Sequence, residues 1–166
     1  MDNEHPLMNK YHIDIQHACE EDIPVTDDML IKWAQKTLQT QLDSAELTIR
    51  LVDLAEITHL NLHYRKQNKP TNVLAFPANL PGGVTLEYPL LGDSIICPAV
   101  LQQESVTLNK PLTAHWALIV IHGVLHLLGF DHIEDKDATI MQALEIKLLA
   151  ELGFANPYLD EDNEIE

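Results

Sequence analysis

Histidines 122, 126 and 132, in the run His122-Gly123-Val124-Leu125-His126-Leu127-Leu128-Gly129-Phe130-Asp131-His132, limit this chain more than any other feature. Two histidines four residues apart on a helix project about 40° apart around its axis, so both rings can reach one ion. Gly129, at the seventh position after His122, is placed to take the left-handed conformation that ends a helix. The chain can then turn back and deliver His132 from the other side. Taken singly, each histidine is more often a packed or surface residue than a ligand. Taken together with the glycine, they point to a three-histidine metal site whose fourth position is open to water or substrate, the catalytic arrangement. The spacing equals that of the HExxHxxGxxH zinc peptidases, but Gly123 stands where their catalytic glutamate would be.

The rest of the pattern places this site in an α+β domain. His12 to His17 alternates apolar and polar residues and reads as a half-exposed strand. Thr26 is an N-cap for a helix to about Leu42, with Leu30, Trp33, Ala34 and Leu38 on one face. Leu47 to Leu51 is a second strand, and Asp53 with Glu56 predicts a capping box on a short helix ending near Tyr64. Val73 to Phe76 lies between Pro70 and Pro77 as a third strand. Ala78 to Pro89, with Pro81-Gly82-Gly83, reads as a loop. Leu90 to Cys97 is a fourth strand, and Pro98 to Leu108 a helix with proline in its first turn. The ligand helix starts at Pro111 or Leu112 and ends at Gly129. A last helix, about Asp135 to Leu152, turns Ile140, Met141, Leu144, Leu148 and Leu149 inward and stops at Gly153. The expectation is one small mixed sheet with about five helices, the metal in a cleft on the C-terminal helical part. Residues 1–166 are read as one hydrolase domain, of which about 156–166 form a frayed acidic tail.

With 166 residues, 46% of them hydrophobic, the chain can bury one proper core. The most apolar run, Trp116 to Leu128, is too short to span a bilayer and carries two histidines. Met1-Asp2-Asn3-Glu4 has the wrong character for a signal peptide. Cys19 and Cys97 are the only cysteines, which fits a reducing cytoplasm and two small hydrophobes rather than a disulfide framework.

The net charge of −16 runs against nucleic-acid binding, which rests on neutralising phosphates. Its distribution matters more than its sum. Residues 1–28 carry −7 and residues 134–166 carry −8, which leaves only −1 on residues 29–133. Arg65, Lys66 and Lys69 lie in that middle part. Alone such a trio is a solvated loop; beside a metal site it can contact phosphate. The acidic ends repel RNA generally and suit basic partners such as ribosomal proteins.

The motif His122 to His132 is very similar to the HGxLHLxGxDH signature of the YbeY family, the metal-dependent endoribonucleases of rRNA maturation. The resemblance extends well beyond it. Leu60-Asn61-Leu62-His63-Tyr64-Arg65 with Lys69 to Pro77 resembles the family's LNxxYRxxxxPTxVLSFP stretch. Leu91-Gly92-Asp93-Ser94-Ile95-Ile96 resembles its LGDIxI strand, and His115-Trp116, His132 to Asp135 and Gly153-Phe154 continue the match. It covers most of the chain from about Leu47. Ala75 replaces the family's commonest serine, and Asn72 stands where many members have aspartate.

That resemblance implies a single-strand-specific endoribonuclease of the cytoplasm that matures rRNA, including the 16S 3′ end, and serves ribosome quality control. It also implies single-stranded rRNA and the small ribosomal subunit as partners, and Arg65 as the functional arginine. The permanently charged fork of Arg65 suits the charge that develops on a scissile phosphate. One zinc ion per chain is the expected cofactor, although other divalent transition metals accept the same donors. Such an ion polarises a phosphoryl oxygen and lowers the pKa of bound water to about 7. Whether water or the RNA 2′-hydroxyl attacks is open at this point. Asp131 is a candidate acceptor for an imidazole N–H, or else a turn residue. His115, two helical turns before His122, is a candidate for the surroundings of the metal or for the substrate cleft. Two rival readings have support: a zinc peptidase, from the ligand spacing, and a ribosome-assembly adaptor with a structural metal, from the acidic ends.

Overall fold

The computed structural model describes residues 10–79, 88–131 and 134–159. His132, most of the loop between Ala78 and Pro89, and the acidic tail from residue 160 lie outside the described residues. The elements run β1 (Tyr11–Ala18), α1 (Asp27–Gln39), β2 (Ala45–Val52), α2 (Leu54–Arg65), β3 (Val73–Pro77), β4 (Leu90–Ile96), α3 (Pro98–Leu108), α4 (Leu112–Leu127) and α5 (Asp135–Glu151). This is an α+β fold with one mixed sheet of order β1-β2-β4-β3. β1, β2 and β4 are parallel, and β3 runs antiparallel to β4 on the far edge.

Local chemistry accounts for most element ends. The Thr26 hydroxyl accepts from the Met29 amide at 3.2 Å and starts α1. Asp53 does the same for Glu56 at 2.8 Å and starts α2. The expected capping box is only half formed there. The Glu56 carboxylate turns away to Arg50 of β2, at 3.0 and 3.4 Å, because a guanidinium fork offers two charged donors against one backbone amide. α1 also stops earlier than its apolar pattern predicted, at Gln39; Leu42 lies in the turn that follows.

β1 is an edge strand that exposes His12, Asp14 and Gln16 in alternation, whereas β2 buries Ala45, Leu47, Ile49 and Leu51. α4 lies at the centre, in contact with β3, β4, α1, α3 and α5. It is buried nearly all round, through Trp116, Ala117, Ile119, Val120, Ile121, Val124 and Leu125, as expected of a helix without a polar stripe. Trp33 and Trp116 are both core residues. α5 packs with Met141, Leu148 and Leu149 inward, but Ile140 is 44% exposed, against expectation. It sits one residue off the buried stripe, and a buried polar residue, Glu145, occupies the stripe instead. No helix among the described residues is long and apolar enough to cross a membrane.

Candidate metal centre

His122 and His126 lie in the last two turns of α4, half-buried where the helix emerges from the core. Their Nε2 atoms are 3.1 Å apart, with ring planes at 77°. Just beyond, Gly129 adopts φ +103°. The Gly129 amide donates to the His126 carbonyl and the Phe130 amide to the Leu125 carbonyl, both at 3.0 Å, closing the helix in a Schellman turn. The chain therefore reverses directly after the two histidines. Asp131 is exposed in that reversal.

Behind His122 stands a residue the sequence reading missed. Glu145 of α5 is 1% exposed, and its Oε2 accepts from His122 Nδ1 at 2.6 Å. Its other oxygen, Oε1, accepts from the Tyr158 hydroxyl at 2.5 Å. A carboxylate beside Nδ1 favours the proton on that nitrogen, and in the neutral ring this leaves Nε2, which faces His126, as the acceptor and ligand atom. A signal was present: a glutamate in the stripe Met141, Glu145, Leu148 of an amphipathic helix is a buried charge that demands a partner.

Among the described residues no group of three or more metal-ligating side chains is gathered, but the His122–His126 pair fits two positions on one ion. Two imidazoles on a tetrahedral ion, at about 2.0–2.1 Å each, bring their nitrogens about 3.3 Å apart. Two ring nitrogens 3.1 Å apart need a proton or a cation between them. A carboxylate on the far ring nitrogen is the arrangement that orients metal-binding histidines.

Gly123, the position of the peptidase glutamate, lies against the sheet. A Cβ there would be 2.5 Å from Ser94 Oγ and 3.3 Å from Val73 Cγ2. The buried Ser94 hydroxyl has no hydrogen-bond partner among the described residues, and it occupies the space a side chain at 123 would need. A carboxylate at 123 would thus enter the helix–sheet interface.

His115 is buried, and its Nε2 lies 2.8 Å from Glu104 Oε1 of α3. Asn72 Nδ2 reaches both oxygens of the same carboxylate at 3.2 Å. An aspartate at 72 would put like charges face to face; the asparagine amide supplies a donor. His115 also lines a cleft of about 640 Å³, with Leu118, Phe154 and Tyr158 among its walls. The Glu104 contact ties His115 to α3.

Arg65 is the last residue of α2 and exposed. Lys66 caps that helix in the left-handed conformation, its ammonium donating to the His63 carbonyl at 3.2 Å. This favourable contact at a helix C-terminus is the ordinary structural use of a lysine. Lys69 is exposed, and its carbonyl accepts from the buried Asn61 amide at 2.9 Å, which pins the cationic loop to α2. Burial pushes both cysteine thiols up, so neither Cys19 nor Cys97 is a ready thiolate ligand.

The family described as Endoribonuclease YbeY matches residues 14–153. The Endoribonuclease YbeY proteins of Legionella pneumophila strains Corby and Lens are each 61% identical over 156 residues, covering 94% of this chain and 99% of theirs. The solution structure of TM1509 from Thermotoga maritima shares the fold, with a TM-score of 0.55 at 24% identity, over 92% of this chain and 93% of that one. A histidine pair at a Schellman turn, a glycine where a peptidase would hold glutamate, and near end-to-end similarity converge: the chain belongs to the YbeY endoribonuclease family.

Proposed function

We propose that this protein is a metal-dependent, single-strand-specific endoribonuclease of rRNA maturation, including the 16S 3′ end, and of ribosome quality control. In this reading His122, His126 and His132 hold one zinc ion. The observation that carries it is the His122–Glu145 pair, which holds Nδ1 of His122 and leaves its Nε2 facing that of His126. When bound, the ion supplies Lewis acidity toward a phosphoryl oxygen and acidifies water. The protein's own part is orientation and charge. Glu145 and Tyr158 hold the His122 ring in one tautomer and one plane. Arg65 places a permanent, two-pronged positive charge for the phosphate oxygens on which negative charge develops. Lys66 and Lys69 add phosphate attraction, Asp131 adjoins the third ligand in sequence, and His115 lines a cleft with Leu118 and Tyr158. The acidic ends favour basic ribosomal proteins on the small subunit, and the cytoplasm is the compartment where that substrate is made.

The peptidase reading loses support from Gly123, because a zinc peptidase of this motif uses a carboxylate at that position, where the Ser94 contact leaves no room for one. The test is incubation of zinc-loaded protein with a defined single-stranded RNA and, separately, with casein, each with and without chelator. Cleavage of RNA alone, abolished by chelator and restored by zinc, is expected. Cleavage of casein, or RNA cleavage indifferent to chelator, would overturn the proposal.

A further inference from the structure

The surface of α2 carries a second feature that metal chemistry does not use. The His59 and His63 rings lie 6.2 Å apart and nearly parallel, at 11°. His63 meets Tyr64 edge to face at 4.6 Å, and Tyr64 meets Phe76 of β3 at 4.9 Å. Four rings thus run in succession from the outer face of α2 onto the edge strand. Both histidines are exposed, and Tyr64 is 58% exposed. Phe76 packs against the smaller core cluster, but the three exposed rings that continue from it, Tyr64, His63 and His59, are not explained by core packing.

Its electrostatic setting is equally distinct. Residues 57–79 contain no aspartate or glutamate, in a chain of net charge −16, and they contain Arg65, Lys66 and Lys69. Among the described residues, Arg65 and Lys69 pair with no carboxylate. Aromatic and imidazole faces beside unpaired cations are what unpaired bases and their phosphates recognise: bases stack on rings, and phosphates follow the charge. Paired bases hide their faces within the helix, so such a surface favours single strands. We propose that the row His59, His63, Tyr64 and Phe76, with Arg65 and Lys69, is a stacking platform that holds unpaired bases of the RNA. The proposal rests on the endoribonuclease reading and adds to it a place where the strand is held.

Binding, rather than cleavage, tests it. The full-length, metal-loaded protein is titrated against a fluorescent single-stranded oligoribonucleotide and against the same oligomer with abasic residues, each verified intact afterwards. Tyr64→Leu keeps apolar packing on Phe76 but removes the π face. It should weaken binding of the normal oligomer about tenfold, the scale of one lost stacked base. It should leave the weaker abasic binding and the metal content unchanged, and Tyr64→Phe should bind like the parent. Equal affinity of Tyr64→Leu and parent for the normal oligomer would overturn the platform. So would equal weakening on both oligomers, or equal displacement of RNA by polyglutamate from parent and variant, each of which leaves only the cations. A parent that binds neither oligomer would overturn the RNA reading itself and the platform with it.

Discussion

Glu145 illustrates how much of this protein's chemistry depends on single side chains set far apart in sequence. Its carboxylate joins α5, through Tyr158 and His122, to the end of α4. Glu145→Gln keeps the shape but exchanges an ionic acceptor for a neutral amide. It should weaken zinc binding about 10–100-fold, as loss of an orienting partner does. Competition titration against a chromophoric chelator measures this, and unchanged affinity would remove Glu145 from the site. Arg65→Ala should show the opposite pattern, because an arginine in ordinary conditions does not ligate a cation. Metal content should stay at the parental level while single-turnover RNA cleavage falls on the order of 10²–10³-fold. Arg65→Lys should recover only part of that loss, since it restores charge without the planar fork. Cleavage by Arg65→Ala at the parental rate would reduce Arg65 to a surface charge.

At the scale of elements, the close approach of α4 to the sheet depends on Gly123. Gly123→Ala puts a methyl group into the contact with Ser94 and Val73 and should destabilise by about 1–3 kcal/mol, the usual cost of overpacking. Adding Ser94→Ala removes the hydroxyl nearest that methyl group and should return most of the loss. A double-mutant cycle on thermal or denaturant unfolding reads the coupling, and strictly additive effects would contradict the contact. Gly123→Glu, which would complete a peptidase-like motif, should cost more again, because it also places a carboxylate between helix and sheet. The sequence predicts the absence of a peptidase base at 123, but the packing reason appears only when β4 is laid against α4.

For the molecule as a whole, the proposed site joins α4 and α5, so metal binding there would be linked to folding. Chelation should lower Tm, and zinc should restore it with a concentration dependence set by mass action. A Tm indifferent to chelator would mean that no ion contributes to the folded state. What the sequence determined by itself is periodic and local. The N-caps at Thr26 and Asp53, Pro98 opening α3, Gly129 closing α4, and the alternation in β1 and β2 all depend on neighbours within about four residues. The spacing of His122 and His126 is of the same kind, because helix geometry alone brings their rings together. Tertiary structure decided the rest. It turned Glu56 to Arg50, left Ile140 outside, gave His115 to Glu104 and His122 to Glu145, and set Tyr64 against Phe76. Those partners come from different elements, 6 to 23 residues apart. Burial selects which pairings form, since a charged group withdrawn from water must find a partner there, and no local pattern specifies which one.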